Sequence, residues 1–344
     1  MKRGARRGAV LQSLSTRIEE MSLVRFLRNV VMLEPARPIS PLRLATNWKA
    51  IRNGGRYLLM ALALHSVPTL SQATPPMQVR YYETPSGAVR YDYYAELLNM
   101  VLKRTEADFG PYRIEKYTIP MSSARWNEMA IRGETINVMW SNIGHPDLNE
   151  KMIPIPIPAD RGVHGYRVFL IRAERQAEFN QVRTLDQLRQ FVMGQGANWG
   201  DIKILEHNRL PLITGTLYDN LFPMLEAGRF DYFSRSVLEA PLEMESFSPK
   251  YPDLRIETSL LLHYQFPVVF FVAKTEPALA RRIQAGMEMM VKDGSLKTLF
   301  YRYFQKSLAG LKLKSRVVLE LDNPYLPAYV PVSNRELWFD PLEN

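Results

Sequence analysis

Tyr112–Trp140 reads YRIEKYTIPMSSARWNEMAIRGETINVMW, and the order of its parts decides the fold. Tyr112-Arg-Ile-Glu-Lys-Tyr117 alternates apolar and charged residues, the two-residue period of a half-buried strand. Residues Ser123 to Arg132 then read as a helix stopped by Gly133, and Ile136-Asn-Val-Met-Trp140 is apolar enough for a buried strand. Upstream, Gln78-Val-Arg-Tyr-Tyr82 is a further strand, followed by a Thr84-Pro-Ser-Gly87 turn. A helix over Tyr91 to Thr105 carries Tyr94, Leu97, Leu98, Val101 and Leu102 on one face. Strand, helix, strand, helix, strand in that order predicts a largely parallel sheet with right-handed crossovers.

Downstream the pattern changes. Ile153-Pro-Ile-Pro-Ile-Pro158 has too many prolines for a helix or a central strand, so it reads as an edge strand or an extended connector. Tyr166-Arg-Val-Phe-Leu-Ile171 is a strand, and Thr184 with Gln187 has the spacing of a capping box. Gly194-Gln-Gly-Ala-Asn-Trp199 reads as a loop, Ile202 to Leu205 as a short strand, and Tyr218 to Ala227 as a helix closed by Gly228, with Pro223 in its first turn or kinking it. Phe230-Asp-Tyr-Phe233 and Phe266-Pro-Val-Val-Phe-Phe-Val-Ala273 are strands. Helices follow from Pro277 to Asp293-Gly294 and from Ser295 to Phe304, and the last thirty residues look extended and wrap the surface.

Lys49, Arg52 and Arg56, the apolar run Tyr57 to Leu64, and the small residues of Ser71-Gln-Ala73 have the layout of a secretory leader over residues 49–73. Cleavage after Ala73 would place a chain beginning at Thr74 in the periplasm. The apolar run is too short for a stable membrane span. Residues 1–73 hold twelve basic and three acidic residues, the whole formal excess of +9, so the remainder is neutral and its charge gives no reason to expect nucleic acid as a partner. Residues 1–48 show no sustained apolar periodicity and read as a disordered extension or an upstream start.

The matching pieces resemble the type II periplasmic solute-binding proteins, in particular the extracellular family 3 that includes the amino-acid-binding proteins. They are the first strand with its aromatic end, Arg125-Trp-Asn-Glu-Met-Ala-Ile-Arg-Gly133 leading into the Trp140 strand, Leu185-Asp-Gln-Leu188 before a Gly-rich loop, and Leu225-Glu-Ala-Gly-Arg-Phe-Asp231. The returning strand with the Met287-to-Phe304 helix pair completes the set. The resemblance implies an α/β two-lobed clamshell, each lobe a mostly parallel sheet flanked by helices. Residues 74–171 and 266–344 would form lobe 1, residues 172–265 lobe 2, and a hinge would close the cleft on a ligand.

Two departures from the amino-acid-binding pattern bear on that ligand. The family holds the ligand carboxylate with a Thr and an Arg after the third strand of lobe 1, whereas Ser141-Asn-Ile-Gly-His-Pro-Asp-Leu-Asn-Glu150 contains no Arg. Where the family places an ammonium-binding Asp in lobe 2, this chain has Ser234-Arg235. The expected solute is therefore small and polar, and anionic if Arg235 faces the cleft.

Arg235 either binds a carboxylate or phosphate as a bidentate fork or pairs with Glu239 or Glu243. The other candidate ligand-binding residues are Tyr82 and Glu83 at the end of the first strand, Arg125 at a helix start, Trp140 and Ser141 at a strand end, and Trp199 in the Gly-rich loop. Alternation sends Tyr81 and Tyr82 to opposite faces, so at most one of the two is expected in the core. No catalytic residue, cofactor or metal site is expected. There is no cysteine, which excludes disulfides, thiolate zinc and cysteine nucleophiles, and the Gly-rich loop lacks the ending of a phosphate-binding Walker motif. His145 with Asp147 is the nearest approach to metal-ligand spacing and reads as a solvated loop. These readings predict a monomeric, non-enzymatic binding protein that delivers solute to an ABC importer permease. The competing readings are a sensor that presents occupancy to a receptor periplasmic domain and a dehydratase-like enzyme on the same fold, which would need a cleft acid–base pair.

Overall fold

A computed structural model describes residues 75–83 and 89–342. The proposed leader, the extension before it and the Thr84 to Gly87 turn lie outside the described residues. In the first part of the chain, β1 (Met77–Tyr82) pairs in parallel with β2 (Tyr112–Tyr117), and α1 (Val89–Arg104) crosses between them. The helix α2 (Ser123–Arg132) starts where the Ser122 side chain accepts a hydrogen bond from the Arg125 N–H at 3.3 Å. It ends at Gly133, whose φ of 74° is left-handed and whose N–H donates to the Met129 carbonyl.

Next comes β3 (Val138–Asn142), which pairs antiparallel with β11 (Val268–Ala273); β11 in turn pairs antiparallel with β4 (Met152–Pro154). Asn137 stitches the β1–β2 pair to this trio. Its N–H donates to the Arg80 carbonyl (2.9 Å), its Oδ1 accepts from the Arg80 N–H (2.7 Å), and its Nδ2 donates to the Gln78 carbonyl (2.8 Å). The lobe 1 order is thus β2-β1-β3-β11-β4, with the proline-rich Ile153 to Pro158 run at the edge, where missing N–H groups do least harm. The helices α6 (Pro277–Lys292) and α7 (Ser295–Gly310) pack on α1 against this layer.

The second sheet has β5 (Tyr166–Arg172) near its middle. On one side stand β8 (Tyr232–Ser236), β6 (Met193–Gly196) and β7 (Leu212–Gly215). On the other are β9 (Leu254–Ile256) and β10 (Leu260–His263), with β12 (Val317–Glu320) at the edge. The strands β6, β7 and β8 are mutually parallel, while β5 runs antiparallel to β8, β9 and β10. The helices α3 (Ile202–His207), α4 (Tyr218–Glu226) and α5 (Ala240–Phe247) connect these strands.

Several expectations are corrected here. Residues 166–171 belong by strand pairing to lobe 2, because β5 spends its hydrogen bonds on β8, β9 and β10. The C-terminal part does not stay with lobe 1 either: β12 adds to β10 in parallel. Gly194 to Gly196 form a buried strand instead of a loop, because two parallel neighbours satisfy a backbone that carries little side chain. Ile202 to Leu205 are helical, with the Leu205 N–H on the Asp201 carbonyl at 3.1 Å; a four-residue apolar run does not distinguish the two states by itself. Pro223 lies past the first turn of α4, within the helix. Tyr81 and Tyr82 do face opposite ways, yet both are buried, because each face of the sheet is covered.

The chain passes between the lobes after β4 and again after β10. Asp160 ties the two crossings together: its carboxylate accepts from the N–H groups of Gly162 (2.9 Å), His164 (3.1 Å) and Val268 (3.1 Å). Beyond β12 the tail binds Asn208 of lobe 2 through Asp322, places the Tyr329 hydroxyl on Asn149 of lobe 1, and lays Trp338 and Phe339 on Arg161 at the first crossing.

Asn137→Ala should cost about 2 kcal/mol, since it strands the part-buried Arg80 N–H and Gln78 carbonyl; urea denaturation with a loss under 1 kcal/mol would show that β1 does not depend on this bridge. Burial pushes the Asp160 carboxyl up to about 6 against the pull of its three N–H donors. A raised folded-state pKa stabilises the native state below the unfolded value of 3.8, and that contribution is lost as pH rises through about 6. The advantage of wild type over the non-titrating Asp160→Asn should therefore shrink by roughly 3 kcal/mol between pH 3.5 and pH 7, as read by denaturation at the two values.

Candidate functional site

A cavity of about 860 Å³ lies between the lobes. Lobe 1 supplies the start of α2 with Ser122 and Trp126, the β3 end with Trp140, Ser141 and Asn142, Tyr94 from α1, and His145. Lobe 2 supplies Arg167 from β5, Asn198 to Asp201 after β6, Tyr218 at the start of α4, Arg235 from β8, and Glu239 and Glu243 just beyond it. Strand ends and the loops after them face the crevice, the usual place for a ligand in an open α/β sheet.

The cleft wall of lobe 2 is a buried charge network. Arg235 is 4% exposed and forks onto Glu243, Nε to Oε2 at 2.8 Å and Nη2 to Oε1 at 2.6 Å, while the same Nη2 reaches Glu239 at 3.0 Å. Its guanidinium lies 4.4 Å from the Trp199 ring centroid and 5.0 Å from that of Phe233. Burial alone would lower the Arg235 pKa, but the charges of Glu239 and Glu243 outweigh it and raise it. Arg167 pairs with Asp201 at 2.9 Å and lies 3.8 Å from Glu239. Asp201 also accepts from Gln195 Nε2 (2.9 Å) and the Tyr264 hydroxyl (2.8 Å), so one carboxylate gathers β5, β6 and the second crossing.

The lobe 1 wall is largely aromatic. Trp140 stacks on Tyr94 with centroids 5.6 Å apart, and Trp126 meets Tyr82 at 5.2 Å. Across the cleft Gly144 packs directly on the Gly200 backbone: a Cβ on Gly144 would come within 2.3 Å of the Gly200 carbonyl oxygen, and one on Gly200 within 2.6 Å of Asn142 Oδ1 and 3.0 Å of the Gly144 Cα. Burial lowers the pKa of His145, with Asp201 opposing. Asp147 does not join it but pairs with Lys151 at 2.9 Å. Among the described residues no group of acidic and histidine side chains is arranged to hold a metal ion.

Of the residues singled out in the sequence, Trp140, Ser141, Trp199 and Arg235 line the cleft. Tyr82 is buried behind Trp126, Glu83 pairs with Lys116 at 2.6 Å, and Arg125 stands exposed on α2 while its neighbours Ala124 and Trp126 face the cavity. Arg235 is engaged by Glu243 and Glu239, the structural alternative that its spacing offered, and this removes the argument for an anion site. Arg167, Asp201, Tyr218 and His145 were not anticipated. Only the Arg235, Glu239, Glu243 spacing gave a signal, because the other partners meet through tertiary contacts.

No family model matches this chain, and no curated protein matches it. Solved structures similar to it include an ancestral arginine-binding protein bound to arginine, with 14% identity over 67% of this chain and 99% of the other at a TM-score of 0.46. Another is the glutamate-bound GluR0 ligand-binding core from Nostoc punctiforme, with 13% identity over 67% and 99% at a TM-score of 0.41. A third is an ancestral amino-acid-binding protein described as a precursor of cyclohexadienyl dehydratase, with 12% identity over 66% and 95% at 0.45. The strand orders and the paired crossings described above define the chain's class: a two-lobed α/β fold with a cleft between the lobes.

Arg235→Ala should destabilise the protein by about 3–5 kcal/mol, because it leaves two buried carboxylates without their partner. Denaturation showing a loss below 1 kcal/mol would mean that the network does not hold the lobe 2 wall together.

Proposed function

We propose that this protein captures a small polar solute between its lobes, closes on it, and delivers it from the periplasm to an ABC importer. The exported form begins at Thr74 after loss of the leader and acts as a monomer. The observation that carries the reading is the contact between Gly144 and Gly200 across the mouth of a cavity lined from both lobes. Two loops that meet glycine on glycine permit close approach of the lobes, and the volume between the lobes suits a small solute. Binding, not turnover, is the activity proposed. Among the described residues no helix is long and apolar enough to cross a membrane, so delivery would depend on a separate permease.

Mass spectrometry of small molecules released on denaturing the protein from native periplasm should identify a stoichiometric solute. Gly144→Ala would place a methyl group against the Gly200 carbonyl and hold the lobes apart. Its affinity for that solute should fall at least tenfold with little change in Tm, and small-angle scattering should show no compaction on binding. Unchanged affinity and compaction would remove closure at this contact from the mechanism.

A further inference from the structure

The charge of the cleft is not balanced. Its two arginines, Arg167 and Arg235, face three carboxylates, Asp201, Glu239 and Glu243, and leave one formal negative charge when histidines are counted as neutral. Both arginines are nine-tenths or more buried and already forked onto or paired with carboxylates. An incoming anion would have to displace Glu243 from a bidentate bond or sit beside a net negative wall, at an energetic cost either way. A cation meets the opposite situation, because it completes the charge count without breaking an existing pair. The remaining surfaces favour the same sign. Trp199 and Tyr218, over which Arg235 already lies, line the cavity on lobe 2 and Trp140 and Trp126 line it on lobe 1, so the cavity offers aromatic walls to a positive group and a hydrocarbon body.

On these grounds, and resting on the solute-binding reading above, we infer that the ligand is an organic cation, an amine or guanidine whose positive charge is not offset by a carboxylate of its own. Glu239 and Glu243 receive the cationic nitrogen, and the aromatic side chains receive the alkyl body. A zwitterion would bring an anionic group into the same cleft, where both arginines already hold carboxylates.

Isothermal calorimetry on the mature protein with matched pairs tests this inference. Agmatine against arginine and putrescine against ornithine differ only in the carboxylate, with glutamate and succinate as anionic controls. Agmatine or putrescine should bind at least tenfold more tightly than its zwitterionic partner, and the anions should not bind measurably. Glu239→Gln should weaken the cation at least tenfold while leaving the Tm within a few degrees. If that variant fails to fold, the ligand pairs on the wild-type protein decide the matter alone. Arginine, ornithine or glutamate binding as tightly as the amines would overturn the cation assignment, and so would no binding by any of the six. Recovery of some other stoichiometric solute from native periplasm would then leave the solute-binding reading standing without it.

Discussion

The structure depends on one placement, β11 lying between β3 and β4. All six of its residues are buried, and both of its edges are used, by β3 from Asn142 to Val138 and by β4 from Pro154 to Met152. Because β11 comes after the whole of the second sheet's main body, lobe 1 cannot close until the chain has gone out and returned. Two crossings are therefore obligatory, and a cleft between two sheets follows from connectivity. Asp160 then joins the crossings through backbone N–H groups on both, so the junction between the lobes is built from the same residues that complete lobe 1.

The tail adds a third tie between the lobes. After α7 the chain enters the second sheet as β12, then contacts lobe 2 at Asn208, lobe 1 at Asn149 and the first crossing at Arg161. Any opening of the cleft has to strain or release these contacts as well as turn the crossings. The cleft itself is organised by charge on one side and by rings on the other. Asp201 fixes Arg167, Gln195 and Tyr264 in one group, and Glu243 fixes Arg235 against Trp199, so the lobe 2 wall is held in place by its own contacts.

Much of the fold was legible because local rules and tertiary demands agreed. The ends of α2, with Ser122 at the cap and Gly133 in the left-handed region, and the capping box of Thr184 with Gln187 stand where sequence places them. The failures share a cause. Gly194 to Gly196 have too little side chain to show a strand period, and Ile202 to Leu205 are too short to show any period; in both cases long-range pairing decided the state. Site residues divide the same way. Trp140, Ser141 and Trp199 lie in or just after strand ends, a position that connectivity predicts, while Glu83 satisfies the same rule and yet turns to Lys116, and Arg125 in the first turn of α2 stands exposed.

What the sequence alone determined was the alternation of strands and helices, the edge character of the Ile153 to Pro158 run, and the neutrality of the chain after residue 73. Periodicity, caps and composition are properties of neighbours along the chain, so they survive without a structure. Only the tertiary structure decided the sign of the cleft. Arg235 standing alone reads as an anion receptor, but Glu239 and Glu243 fold back onto it within 3.0 Å, and Arg167 spends its charge on Asp201, 34 residues away. The electrostatic character of a buried site is set by which charges are brought within a few ångströms of each other in a medium that screens them poorly, and that grouping exists only once the sheets have assembled.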